Sequence, residues 1–365
     1  MVNIINVFNN LIMFFSRRNF YTFSYTFLLF LTILILSCSN DTNKDDDSDI
    51  ITVNKVYGDG SKYCAFTSLL KRGGIYYLAF REGDSHVSDG DYGIIRILYS
   101  KDAKQWNQYQ TLRADNKDLR DPNLTITPDG HLLIICGARI HHPSGYYYTK
   151  SYYALENGNV FSEVQPLNFP PEIDGPFGCW LWKLTWRGGY GYGAAFYNDG
   201  VKDRLTLINT VDGINYNIVS DIIIDESINE TSIQFLPSDE MIALVRSEHE
   251  GYICRSLYPY TEWSLKKTNI FLAGQDFIIH DNHLVCATRM ITNIGERTAL
   301  WFGDLDGNFQ WAYILPSYGD NCDTAYSGII VEKDRWLLSY YSKHQTEKTS
   351  IYLATIPKVN LPFYK

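Results

Sequence analysis

From about residue 60 onward, short apolar runs alternate with polar turns at a repeating interval. Six segments share one form: an apolar strand-like run, a polar turn, and a second apolar run closing on a polar or aromatic residue. They are Cys64–Arg81 (CAFTSLLKRGGIYYLAFR), Arg120–Arg139 (RDPNLTITPDGHLLIICGAR), Trp180–Tyr197 (WLWKLTWRGGYGYGAAFY), Glu230–Arg246 (ETSIQFLPSDEMIALVR), Gln275–Arg289 (QDFIIHDNHLVCATR) and Tyr326–Tyr341 (YSGIIVEKDRWLLSYY). Their last residues lie 58, 58, 49, 43 and 52 positions apart. The turns hold Arg-Gly-Gly, Pro-Asp-Gly, Arg-Gly-Gly, Pro-Ser-Asp, His-Asp-Asn and Lys-Asp-Arg. Glycine, asparagine and aspartate tolerate the backbone angles that tight hairpins demand.

A second element recurs between these hairpins. A strand runs into a small acidic turn and then an aromatic: Ser100–Trp106, Thr210–Tyr216 and, more loosely, Asp304–Gly307 followed by Trp311. The aromatic is expected to fold back onto its own unit. No amphipathic helix of convincing length intervenes. Four strands in each of six units predict an all-β fold, a six-bladed β-propeller of four-stranded antiparallel blades. A β-sandwich, the structural alternative, has no reason to repeat a hairpin at this period. Ring closure should place Ile51–Val56 beside Thr349–Ile356.

That architecture says where chemistry should gather. In each blade the first strand, A, leaves the face to which the second strand, B, returns. The A-starts are Cys64-Ala65-Phe66, Arg120-Asp121, Trp180 with Trp182, Asn229-Glu230, Gln275-Asp276 and Tyr326. The B-ends are Arg81, Arg139, Tyr197, Arg246, Arg289 and Tyr341. Four arginines on one rim repel unless carboxylates or an anionic ligand offset them. The rim therefore fits an acidic carbohydrate, with Trp180, Trp182 and Tyr197 as stacking faces.

The N-terminus reads differently. Arg17 and Arg18 precede a largely apolar run, Phe20–Leu36, that ends in Ile35-Leu36-Ser37-Cys38. A charged start, an apolar stretch and a small residue before the cut describe a signal peptide. The cysteine that follows resembles a bacterial lipobox, in which Cys38 is acylated and becomes the first mature residue. The alternative is a transmembrane anchor, for which the 17 residues from Phe20 to Leu36 are near the lower limit of about 17–25. Ser39–Asp49 has no apolar residue and reads as a solvated tether. It resembles the acidic stretch that marks Bacteroidota-type lipoproteins for the outer face of the outer membrane, though a plain linker has the same composition. The expected domains are a signal peptide at 1–37, a tether at 38–50 and the propeller at 51–365. The expected location is the cell envelope, with membrane attachment through the lipid.

Net charge is −9, and no basic run follows the signal region, which argues against a nucleic-acid partner. Of seven cysteines, six beyond Cys38 are scattered without metal-ligand spacing. They are expected to be buried free thiols. No metal or cofactor is expected, and the propeller is expected to act as a monomer.

The segments CAFTSLLKRGGIYYLAFREGDSHVS, DLRDPNLTITPDG, WLWKLTW, NETSIQFLPSDEMIALVR and DTAYSGIIVEKDRWLLSYYSKHQTEKTSIYLA resemble the six-bladed sialidase superfamily, especially bacterial exo-α-sialidase-like lipoproteins. The resemblance covers roughly residues 55–358. It implies a tyrosine nucleophile, a glutamate that activates it, an aspartate acid/base and three arginines on the substrate carboxylate. A neutral phenol suits an anomeric carbon that already bears a carboxylate, because a carboxylate nucleophile would be repelled. The resemblance assigns Tyr326 as nucleophile, Glu230 as its base and Asp84 as the acid, with Asp89 and Asp91 as competitors. Arg246 and Arg289 would hold substrate, and Arg297 competes with Arg289. One departure stands out: sialidases open blade one with Phe-Arg-Ile-Pro, where this chain has Cys64-Ala65-Phe66-Thr67. Arg81 from strand B or Arg120 from blade two could supply the missing cation; if neither does, the resemblance no longer implies a sialic acid as substrate. Arg120-Asp121-Pro122 also resembles a segment of five-bladed glycosidases in which the aspartate tunes the transition state. Beside a sialidase-like hydrolase, the alternatives are a carbohydrate-binding propeller without chemistry and a lyase or hydrolase for another acidic polysaccharide.

Overall fold

The computed structural model describes residues 50–87, 90, 92–319 and 324–360. Cys38, Asp89, Asp91 and Cys322 lie outside the described residues. The described residues belong to one compact unit, Ile50–Lys365, and form six antiparallel sheets.

Blade one is A Tyr63–Arg72, B Ile75–Gly83, C Ile94–Ser100 and D Asn107–Leu112. Blade two is A Asp118–Ile126, B Leu132–His141, C Tyr147–Asn157 and a short D, Gln165–Pro166. Blade three breaks its A strand into Cys179–Leu181 and Thr185–Arg187, followed by B Tyr190–Asn198, C Asp203–Thr210 and D Asn217–Asp221. Blade four is A Ile228–Phe235, B Met241–Ser247, C Tyr252–Ser256 and D Ser264–Lys267. Blade five is A Asp276–His280, B His283–Thr292, C Gly295–Gly303 and D Phe309–Ile314. Blade six takes A Ala325–Val331, B Arg335–Ser342 and C Ser350–Pro357 from the C-terminal end. Its D strand is Thr52–Tyr57. Thr52 pairs with Thr355 and Asn54 with Leu353, so the ring closes as expected.

Apolar residues on both faces of the inner strands hold the blades together. Along strand B of blade two, Leu132, Ile134, Cys136 and Ala138 pack toward blade one, and Leu133 and Ile135 toward blade three. Blade four repeats the division, with Met241, Ala243 and Val245 facing blade three and Ile242 and Leu244 facing blade five. This is the two-residue period of a strand buried on both sides. Polar side chains then stitch the A strands around the axis. Thr67 donates to Tyr326 O at 2.7 Å, Ser68 Oγ accepts from Leu124 N at 2.9 Å, and Asn123 Oδ1 accepts from Leu184 N at 3.3 Å. Thr185 donates to Ile233 O at 2.7 Å and Ser232 to Gln275 O at 2.9 Å.

The acidic turns cap their loops as expected. Asp102 accepts from Lys104 N and Gln105 N, and Asp212 from Ile214 N and Asn215 N, all at 2.8 Å. Trp106 and Tyr216 fold back onto the core. In blade five the residue that does so is Phe309, 3% exposed, and not Trp311, which is 37% exposed. Residues two apart share a strand face, and the register shift between Phe302 and Gly303 breaks that alternation, so Phe309 points inward and Trp311 outward. Cys64, Cys136, Cys179, Cys254 and Cys286 are buried free thiols.

Candidate active site

Four A strands carry a register shift just inside the face where they start: Ala65/Ser68, Arg120/Asn123, Ile228/Thr231 and Ala325/Gly328. A bulge adds a residue that the partner strand does not match, and so re-aims a side chain. The extra stretches hold Phe66, Asp121, Glu230 and Tyr326. Phe66, Asp121 and Tyr326 have φ values of 60°, 50° and 50°, a left-handed conformation that costs non-glycine residues energy and gathers at functional sites. In blade three the broken A strand does the same for Trp182. Five blades thus give up regular pairing to turn these side chains toward the axis.

At the centre, the Tyr326 hydroxyl donates to Glu230 Oε1 at 2.5 Å. Arg246 Nη1 donates to the same oxygen at 2.8 Å and lies 3.5 Å from the Tyr326 hydroxyl. Gly274 N donates to Glu230 Oε2 at 2.7 Å, and Gln275 Nε2 to Glu230 O at 2.7 Å. Burial works against the Glu230 charge, but Arg246, Tyr326 and the Gly274 amide outweigh it and hold the carboxyl below its ordinary range. Burial and the Glu230 charge push the Tyr326 phenol well above its ordinary value. The phenol is therefore neutral at rest, with an ionised carboxylate placed to take its proton.

Asp121 is 7% exposed, and its carboxyl is pushed up to about 6. Burial is the main cause, the Glu230 charge adds to it, and Arg120, with Nε 3.4 Å from Asp121 Oδ2, opposes it. Phe66, Asp121, Pro122, Trp182, Lys183 and Tyr326 enclose a depression of about 10 Å³, which is room for one water. The Trp182 ring lies 6.1 Å from that of Tyr326, nearly perpendicular, and Phe66 meets Tyr326 at 4.8 Å. Trp182 is only 4% exposed, so it supports the tyrosine ring edge-on and offers no open stacking face.

The arginines divide. Arg246 is half-buried at the centre. Arg120 reaches from blade two over the Phe66 ring, its guanidinium 5.0 Å from the ring centroid, into the sector where blade one lacks an arginine. Arg81 does not reach it: fully buried, it donates from Nε to Asp118 at 2.7 Å and from Nη1 to Ser85 O at 2.8 Å. Arg289 is buried behind the tyrosine. It donates from Nη2 to Thr324 O at 3.2 Å, with its guanidinium 5.6 Å from the Tyr326 ring. Arg297 turns away to Tyr318. Arg139 stands on the rim against Tyr147, and the Trp180 indole lies against Gly137 of the same strand.

Asp84 departs most from its expected role. It lies in the loop after strand B of blade one, its side chain 61% exposed and paired with Lys62, and its carbonyl accepts from Lys348. Its pairing with Lys62 leads away from Glu230 and Tyr326. Asp121, expected at the A-start of blade two but not as the acid, is the buried carboxyl beside Glu230 and Tyr326. Two residues of the site had no signal in the sequence. One is His86, whose Nδ1 lies 2.7 Å from the Tyr63 hydroxyl with its ring against Phe66. The other is Gly274, whose amide holds Glu230.

No family model and no curated protein matches the sequence. Solved structures do match in fold. A protein of unknown function from Dyadobacter fermentans DSM 18053 aligns over 84% of this chain and 98% of its own, with 17% identity and a TM-score of 0.72. Trypanosoma rangeli sialidase aligns over 84% of this chain with 12% identity and a TM-score of 0.64. The α-L-arabinanase of Penicillium chrysogenum aligns over 85% of this chain and 99% of its own, with 12% identity and a TM-score of 0.63. The chain has the β-propeller fold shared by sialidases and other glycosidases. Its match spans 59% of the T. rangeli sialidase chain, so the likeness is to the propeller and not to the whole of that protein.

Proposed function

We propose that this protein is a glycoside hydrolase of sialidase type acting on acidic glycans, with Tyr326 as nucleophile. The observation that carries the reading is the Tyr326–Glu230–Arg246 constellation, in which a neutral phenol donates to a carboxylate kept ionised by an arginine. The Tyr326 oxygen attacks the anomeric carbon and passes its proton to Glu230. The glycosidic bond breaks, and its oxygen takes a proton from Asp121. Water then attacks the tyrosyl-bound sugar. Asp121 accepts the water proton, and the departing Tyr326 oxygen recovers its own from Glu230. An acid must be protonated near the working pH, and the raised value of Asp121 meets that condition. Arg120, over the Phe66 ring, and Arg246, beside the Tyr326 hydroxyl, are cations suited to a substrate carboxylate. Arg120 and Arg246 are the forks assigned to bind it.

The same reading extends to the cell envelope. The Ser37-Cys38 junction supports lipid attachment at Cys38 and the acidic tether supports display from the outer membrane, with the propeller acting as a monomer on glycan. The test is turnover of the soluble domain on a panel of acidic glycans, read by new reducing ends, beside Tyr326→Phe. Reducing ends released by the parent and not by the variant support the reading. Equal release by both overturns the tyrosine chemistry.

A further inference from the structure

The hairpin of strands B and C in blade two opens on the same face as Tyr326 and Asp121, because B returns to the face from which A departs. One side of this hairpin carries Gly137, Arg139 and His141, which alternate along one strand and so share a face. Across from them stand Thr149 and Tyr147, the register partners of Arg139 and His141. The Arg139 guanidinium lies flat against the Tyr147 ring, 3.3 Å from its centroid, and the His141 ring is 4.9 Å from the same tyrosine. Gly137 leaves room for Trp180: a Cβ there would stand 3.1 Å from the indole nitrogen. A continuous strip therefore runs from Trp180 at the A-start of blade three to Arg139 and Tyr147 on the rim.

Charge sets this strip apart. Arg81 and Arg246 are each offset by a carboxylate, and Arg289 is spent on a backbone carbonyl. Among the described residues, Arg139 has no carboxylate partner, only the Tyr147 ring. The Trp180 indole N–H likewise has no acceptor among the described residues. The hairpin is braced from its other side, where His142 stacks on Tyr146 at 4.4 Å and Tyr146 packs against Phe177 at 6.0 Å. Its tip is tied by His142 N donating to Tyr146 O at 2.7 Å. A cation already held on an aromatic face is organised before any ligand arrives, which lowers the entropic cost of binding.

We infer that Arg139, Tyr147 and Trp180 form a second sugar subsite, which takes an acidic sugar next to the one held over Tyr326. The Trp180 ring packs against the sugar, and the Arg139 fork, held in place on Tyr147, takes its carboxylate or sulfate. The inference rests on the hydrolase reading and narrows it: the substrate is a glycan with negative charge on adjacent residues, not a single acidic sugar on a neutral chain.

The test uses the full-length chain in the Tyr326→Phe background, so that binding is read without turnover. Calorimetric titrations compare free sialic acid with trisialic acid, which carries carboxylates on adjacent sugars, and with a sulfated galactan tetramer, which carries sulfates. The parent should bind one of the two oligosaccharides more tightly than the monosaccharide, by about 10-fold or more. Arg139→Gln and, separately, Tyr147→Leu should each weaken that oligosaccharide by about 5- to 30-fold and leave the monosaccharide unchanged. Which oligosaccharide responds identifies the anion. Failure of both to bind overturns the subsite, as does oligosaccharide binding that ignores both substitutions. Equal loss for monosaccharide and oligosaccharide also overturns it. Wild-type protein that turns over no glycan, while Arg139-dependent binding persists, removes the hydrolase reading and leaves the subsite in place.

Discussion

The Tyr326 hydroxyl and the Glu230 carboxylate meet at 2.5 Å although 96 positions separate them in the chain. They come from the bulged A-starts of blades six and four, and the Gly274 amide of blade five fixes the second carboxylate oxygen between them. Tyr326→Phe keeps the ring and its contacts with Phe66 and Trp182 and removes the oxygen. Turnover should fall by at least about 100-fold with the melting temperature little changed, measured as initial rate beside a thermal melt. Glu230→Gln should lose a similar factor. Wild-type turnover in folded Tyr326→Phe would point instead to a carboxylate pair of Asp121 and Glu230.

The pH profile follows from two carboxyls driven in opposite directions. Glu230 must be ionised and is held below its ordinary range, and Asp121 must be protonated and titrates at about 6. The rate should therefore be greatest in mildly acidic solution and fall as pH rises through about 6. Asp121→Asn should remove most turnover and the alkaline limb with it. A limb that survives in Asp121→Asn would mean that another group is the acid.

Stability should show the same titration. The folded-state value of Asp121 lies above its ordinary 3.8, so folding favours the protonated form. Its stability is complete below pH ~4 and is lost as pH rises through about 6, with a full cost of about 3 kcal/mol. Asp121→Asn should thus melt higher than the parent at pH 8, and the difference should shrink toward pH 4. A difference that does not depend on pH would contradict the assignment.

Arg81 and Arg120 should fail in different ways. Arg81→Met leaves Asp118 buried without its 2.7 Å partner and should cost about 3–5 kcal/mol of stability. At temperatures where the variant is folded, KM should change little. Arg120→Lys keeps the charge over Phe66 but not the two-point fork, and should raise KM about 10-fold or more with a smaller change in melting. Urea unfolding beside steady-state kinetics separates the two effects.

Gly274 leaves no room for a side chain beside Tyr326. Its φ is +59°, and a Cβ there would stand 2.4 Å from the Tyr326 ring. Gly274→Ala must displace either the Tyr326 ring or the amide that holds Glu230. Turnover should fall by about 10-fold or more, with a stability loss of about 1–3 kcal/mol. Full activity in this variant would show that the ring has another place to go.

The six hairpins were legible in the sequence because their signals are local: alternation along a strand, glycine and aspartate at a turn, and a repeat interval set by one blade. The closing strand was legible for the same reason, since Thr52–Tyr57 has to complete the blade that ends in Ser350–Pro357. The A-starts of blades four and six could be named because topology alone sends them to one face. What only the tertiary structure decided are properties of neighbours distant in sequence. Arg81 and Arg120 look alike as letters and both reach Asp118, but Arg81 is wholly buried on it at 2.7 Å, whereas Arg120 stands 3.7 Å from it and lies over Phe66. Asp84 and Asp121 differ in burial and in the nearness of Glu230. No local pattern encodes either quantity, because both arise only when blades one, two, four and six bring their charges to a common axis.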